Sequence, residues 1–236
     1  MELPFDHTTR RRIYLMRHAE AEYIRGDGSR APDSRLVPLT PKGRAEATGM
    51  AELLREAPFD RAVCSGLLRT RETASIILNG RDLTLEVEGL LEEIRGGDPV
   101  ARAKMSPVDY AYAMFRAAEP DACYAQGEKF SDFAKRVFFG FDKIMNSTGW
   151  INLLLVAHGG VNRAILTEVT GAGLSAFGAF EQDSGCLNII DIDTCRDTGT
   201  VQRRILRGVN ITVDDPSKLT RPLTYMEAFT KRAMSL

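Results

Sequence analysis

The chain has 236 residues, 44% of them hydrophobic and 27% charged, which is the make-up of one well-buried globular domain and not of a disordered or fibrous chain. Its formal net charge of −1 supplies no overall attraction to nucleic acid or to an anionic membrane, so any basic site must be local. Cys64, Cys123, Cys186 and Cys195 form no C-x-x-C pair, which argues against a zinc site or a disulfide framework and for a reducing, cytoplasmic setting.

The first twelve residues are polar, end in Arg10-Arg11-Arg12 and contain no apolar run of the kind a secretory signal needs. Ile13 to Met16 reads as a buried strand, and Arg25 to Val37, with Gly26, Gly28 and Pro32, as a loop. Thr40-Pro41 is an N-cap followed by proline at the first helical position, opening a helix to about Glu56. Phe59 to Ser65 is a second strand, Leu67 to Leu78 a helix, and Leu83 to Val87 a strand nearer the sheet edge. Residues from about 98 to 128 break this rhythm with three prolines and three tyrosines; the segment reads as an inserted cap with a helix over Val108 to Ala118. Phe130 to Met145 is a helix, Ile151 to Ala157 a strand too short to cross a bilayer, and Val161 to Val169 a helix; Leu187 to Ile192 and Val201 to Gly208 are late strands. The tail 214–236 has no clear pattern, although Tyr225, Met226 and Phe229 are spaced to pack as a short helix. Strands alternating with helices predict a single α/β domain: three layers, a mostly parallel sheet with helices on both faces, and a small helical cap.

Three histidines occur: His7, His18 and His158. The last two each stand just beyond an apolar strand, and in open α/β sheets ligands bind outside the carboxyl ends of the strands. Each alone reads as a structural histidine; two at matching strand ends, with arginines nearby, read as one site. Arg17 directly precedes His18, and Arg69 lies just past the second strand. Guanidinium groups bind phosphate bidentately and stay charged.

These residues fall into motifs. Met16-Arg17-His18-Ala19-Glu20, Leu39-Thr40-Pro41-Lys42-Gly43, the set Ser65, Leu67, Arg69, Thr73 and Ala74, the segment Leu91 to Gly97 around Glu93, and Val156-Ala157-His158-Gly159-Gly160 follow in order. Over about residues 12–195 the chain resembles the histidine phosphatase superfamily, the phosphoglycerate mutase-like family. The resemblance implies that His18 is a nucleophile carrying a phosphoryl group. It implies that Arg17, Arg69 and His158 surround the phosphoryl oxygens, and that Glu93 protonates the leaving oxygen and later activates water. Arg25 and Gly159 join Arg17, Arg69 and His158 as expected substrate contacts. No metal or other cofactor is expected. The expected substrate is a small phosphorylated molecule, with no nucleic acid or membrane partner and a homodimer as a candidate assembly.

The chain departs from the family pattern in places. Ala19 replaces the motif glycine, which fits if the backbone there is not left-handed. Mutase members carry asparagine six residues after the nucleophile, where this chain has Ile24, and an aromatic residue where it has Gly96. Both departures favour hydrolysis of a phosphomonoester over a mutase, with phosphoglycerate mutase or bisphosphatase-type phosphoryl transfer as the alternative. Glu92 beside Glu93 leaves the acid open by one residue. A zinc hydrolase is a weaker reading, because Arg17 and Arg69 would lie beside a dication; a silent phosphate-binding module of the same fold is another. On the cap, Tyr110, Tyr112, Phe115 and Arg116 are candidates for the organic part of a substrate.

Overall fold

The computed structural model describes residues 7–213 and 220–234. Its centre is a six-stranded sheet in the order β3-β2-β4-β1-β5-β6. The strands are β1 (Thr8–Arg17), β2 (Arg61–Cys64), β3 (Leu85–Val87), β4 (Asn152–Ala157), β5 (Leu187–Cys195) and β6 (Val201–Ile211). β3, β2, β4 and β1 run parallel, and β5 and β6 join antiparallel. The sheet is therefore mixed, with its parallel half at the β4–β1 seam.

Alternation along the central strands explains the layers. Ile13, Leu15, Leu153 and Leu155 face one side, where they pack with Phe133, Val137 and Phe141 of α5 (Phe130–Asn146) and Val161 and Ile165 of α6 (Gly159–Thr170). Tyr14, Met16, Leu154 and Val156 face the other, with Met50 of α1 (Pro41–Leu53) and Ala74 and Ile77 of α2 (Leu68–Ile77). Strands buried on both faces need apolar residues at every position, and these runs supply them.

Local signals set the helix starts. The Thr40 hydroxyl accepts from Gly43 N at 2.9 Å, with Pro41 in the first turn. Gly43 itself is fixed by contact: a Cβ there would collide with the Glu20 carbonyl oxygen, so the motif glycine lets α1 press on the loop after His18.

The cap segment differs from the sequence expectation. It contains α3 (Pro99–Ala103), α4 (Pro107–Ala111) and a 3₁₀ turn over Ala113–Arg116 instead of one helix over Val108–Ala118. The tighter turn seats Phe115 against Gly178, where an added Cβ would meet the ring at 2.6 Å. β1 is longer than its apolar core because Arg10 and Arg12 pair with Asp193 and Asp191 across the β1–β5 seam. In the tail, Tyr225–Ala233 forms α7, closed by a capping box between Thr224 and Glu227; residues 214–219 lie outside the described residues.

Candidate active site

Arg17 pairs in register with Ala157 across the β1–β4 seam, so the next residue on each strand is a histidine. This is how two residues far apart in the chain meet: the His18 and His158 rings lie 5.2 Å apart. Both are buried. Nδ1 of His18 donates to the Ala19 carbonyl at 2.7 Å, which leaves the lone pair on Nε2. Burial, with the Arg69 and Arg17 charges next in weight, holds His18 well below the usual histidine range. His158 is lowered in the same direction by burial, then by Arg69, His18 and Arg17. A neutral imidazole with a fixed tautomer has the lone pair a nucleophile needs at neutral pH. Nε2 of His158 shares a 2.7 Å hydrogen bond with Ser65 Oγ, and its Nδ1 has no partner among the described residues.

Two buried arginines flank the pair. Arg17 donates from one terminal nitrogen to the Gln182 carbonyl at 2.6 Å, and Arg69 donates to the Ser34 carbonyl at 2.8 Å. The Nε atom of each is buried without a partner among the described residues. Polar groups left unpaired in the interior are costly unless a ligand completes them. Ala19 has no left-handed backbone and is fully buried, so the alanine fits where the motif has glycine.

Of the neighbouring acids, Glu93 is the one that reaches the start of α6, just past His158. Its Oε2 accepts from Gly160 N at 3.1 Å, in the first turn of α6, and its Oε1 from Ile94 N at 2.9 Å. A Cβ on Gly160 would strike the Glu93 carboxylate, which accounts for the second glycine after His158. Glu92 instead forms a bidentate pair with Arg35 at 2.7 and 2.8 Å, and Arg35 holds it below the ordinary carboxylate range. From α5, Arg136 clamps the acid's loop. It donates to the carbonyls of Leu90, Glu92 and Glu93 at 2.8, 2.7 and 3.1 Å, and is anchored on Glu128.

Arg17, Arg69, Glu93 and Gly159 line a cavity of about 720 Å³ that extends to Tyr23, Tyr110, Tyr124, Tyr225 and Phe229. Arg25 is not brought to it. The backbone turns tightly from Arg25 to Ser29 and leaves the Arg25 side chain in solvent, while Arg30 and Arg35 on the returning loop reach the rim. On the cap, Tyr110 lines the cavity, but Arg116 pairs with Asp109 and Glu119 at the surface and Tyr112 bonds Glu227.

Three site residues carried no signal in the sequence. The ring of Tyr225 lies 3.7 Å over the Arg17 guanidinium, so α7 roofs the site. Tyr23 points its hydroxyl at His18, 3.4 Å from Nε2. Arg136 sits on a helix where a cation at that spacing reads as a surface charge.

The sequence model of the histidine phosphatase superfamily (branch 1) matches residues 13–203. The chain belongs to the histidine phosphatase superfamily. Within it, the chain is 34% identical over 186 residues to the adenosylcobalamin/alpha-ribazole phosphatase of Salmonella typhimurium, covering 77% of this chain and 90% of that one. It is 28% identical over 184 residues to the 2-carboxy-D-arabinitol-1-phosphatase of Triticum aestivum, covering 77% of this chain and 37% of that protein. The solved alpha-ribazole phosphatase of Shigella flexneri superposes with a TM-score of 0.68 at 25% identity, over 85% of this chain and 96% of that one. The superfamily match ends at residue 203, and α7 follows it in the chain.

Proposed function

We propose that this histidine phosphatase hydrolyses a small phosphomonoester through a phosphohistidine on His18. The observation that carries the reading is the His18 tautomer: Nδ1 is tied to the Ala19 carbonyl, leaving Nε2 as a lone pair beside Arg17, Arg69 and His158. In the first step Nε2 bonds to phosphorus as the ester P–O bond breaks, and the leaving oxygen takes its proton from the Glu93 carboxyl. In the second, Glu93 takes a proton from water as the water oxygen bonds phosphorus, and the N–P electron pair returns to Nε2. The phosphoryl charge is met by Arg17 and Arg69, whose unpaired Nε atoms are donors in search of an acceptor, and by His158. Gly159, first residue of α6, borders the same space.

The cavity is far larger than a phosphate and has an aromatic wall, room for an organic group of small-metabolite size. The relatives named for alpha-ribazole make an alpha-ribazole phosphate the first substrate to assay. Quench into alkaline denaturant of the enzyme with substrate labelled in the phosphoryl group should trap label that is base-stable and acid-labile, lost in His18→Ala, with chelator present throughout. Full turnover by His18→Ala would refute the reading.

A further inference from the structure

We propose that the Tyr23 hydroxyl is a further catalytic group, donating to Nε2 of His18 in the resting enzyme and to a phosphoryl oxygen once phosphorus is bonded to that nitrogen. The proposal rests on the phosphohistidine reading above.

The argument starts from the tautomer. A carbonyl only accepts, so the 2.7 Å contact of Nδ1 with Ala19 O puts the ring proton on Nδ1 and makes Nε2 an acceptor. The one partner of Nε2 among the described residues is the Tyr23 hydroxyl, at 3.4 Å. That is long for an O–H···N bond, and a long bond is readily given up for a better acceptor. A phosphoryl oxygen is such an acceptor, because hydrogen bonds to charged oxygens are shorter and roughly twice as strong as neutral ones. When phosphorus bonds Nε2, its oxygens surround that nitrogen at short range, within reach of a hydroxyl already beside it.

The side chain is built for the role. Tyr23 N donates to Ala21 O, Tyr23 O accepts from Ala31 N, and the flanking Ile24 pairs with Arg30, so the loop is tied down on both sides. The ring is held by Phe229 in an edge contact at 6.1 Å and by the Arg69 guanidinium 5.3 Å from its centre. Burial pushes the phenol up to about 12, so it stays a donor across the working pH range. The next residue, Ile24, offers no side-chain donor. The loop after the nucleophile therefore presents its polar group from Tyr23.

The hydroxyl does not change the bond balance of either step. It remains protonated throughout, shifting its hydrogen bond from nitrogen to oxygen as negative charge gathers on the phosphoryl group. Its contribution is to a charge that grows in the transition state, so its loss should appear in the rate of phosphoryl transfer more than in binding.

Tyr23→Phe keeps the ring, its contact with Phe229 and its stacking on Arg69. Rapid quench into alkaline denaturant should then show phosphohistidine forming about 10–100-fold more slowly, the loss expected for one hydrogen bond to a charged group, with KM changed far less. The variant should also move the acid limb of kcat/KM to higher pH, because Nε2 without its donor is easier to protonate. A Tyr23→Phe enzyme that forms phosphohistidine at the wild-type rate with an unmoved acid limb overturns the proposal alone. A wild-type enzyme that traps no label overturns the phosphohistidine reading and this proposal with it.

Discussion

The guanidinium of Arg17 lies 3.7 Å from the centre of the Tyr225 ring, so a residue of α7 covers the arginine that adjoins His18. The helix is held there by Phe229 against Tyr110 and Tyr23, by the bond from Tyr112 to Glu227, and by Tyr225 N donating to Glu181. Tyr225→Ala should open the site to water and remove a contact worth about 0.5–2 kcal/mol. We expect KM to rise roughly 2–30-fold, as that energy implies, for a substrate with a bulky aromatic part, and less for a three-carbon phosphate. Steady-state kinetics on the two substrates check this, and equal changes on both would remove the wall from any part in selectivity.

Arg136 touches no part of the cavity directly but holds three carbonyls of the loop that carries Glu93. Arg136→Met should therefore mimic Glu93→Gln. Loss of a general acid costs about 10²–10⁴-fold, so the expected fall approaches that range on alkyl phosphates and is smaller on activated aryl phosphates, whose leaving groups depart with little help. Because both changes disable one device, the double variant should be no worse than the poorer single one. Additive losses in a double-mutant cycle would show that the arginine acts elsewhere.

The depressed His18 and His158 set the direction of the pH response. A histidine whose folded value lies below the usual 6.5 remains neutral, and nucleophilic, as the pH drops past 6.5. With an activated aryl phosphate, and after allowance for the substrate's own ionisation, kcat/KM should stay level through that region and fall only in more acidic solution. Stability should move differently. Below pH 6.5 the unfolded chain takes up protons at these two positions and the folded chain does not, so both histidines lower stability progressively as the pH falls. An acid limb centred at the ordinary histidine value would contradict the burial of His18.

Asp193 has a fully buried side chain between Arg10 and Arg203, and Asp191 one between Arg12 and Arg207. The hydrogen bond from Arg10 outweighs burial and, with Arg203, holds Asp193 below the ordinary carboxylate value of 3.8. A depressed carboxylate contributes stability that is present above its unfolded value and lost as the pH falls through its folded one. Asp193→Asn should cost about 1–3 kcal/mol at pH 7, the buried-pair figure reduced because both arginines reach solvent, and less near pH 3. Denaturant unfolding at the two pH values measures the difference; an equal cost at both would assign the loss to packing.

Much of this architecture was legible in the sequence because its signals are local. The apolar runs ending in Arg17-His18 and Ala157-His158 mark two strand ends, Thr40-Pro41 marks a helix start, and Gly43 answers a contact three residues beyond its cap. The choice between Glu92 and Glu93 was not legible, because it depends on Arg35 arriving from a loop distant in the chain to claim the first. Arg25 misleads for the same reason: the turn back to Ser29 swaps it for Arg30 at the rim. Tyr225 and Arg136 have no motif at all. One acts through a ring stacked on a cation and the other through backbone carbonyls, and neither contact demands a fixed sequence spacing.

β1 pairs with Asn152–Ala157 on one side and Leu187–Cys195 on the other, so the first strand waits for partners more than half a chain away. Pairings of such long range close late in folding and leave an apolar strand exposed meanwhile. Arg10, Arg11 and Arg12 stand immediately before Ile13-Tyr14-Leu15-Met16. Until the aspartates of β5 arrive, these like charges repel any second copy of the strand, as gatekeeper residues do. Two of these cations, Arg10 and Arg12, later clasp Asp193 and Asp191, so charges able to guard the nascent strand end as ion pairs of the finished sheet.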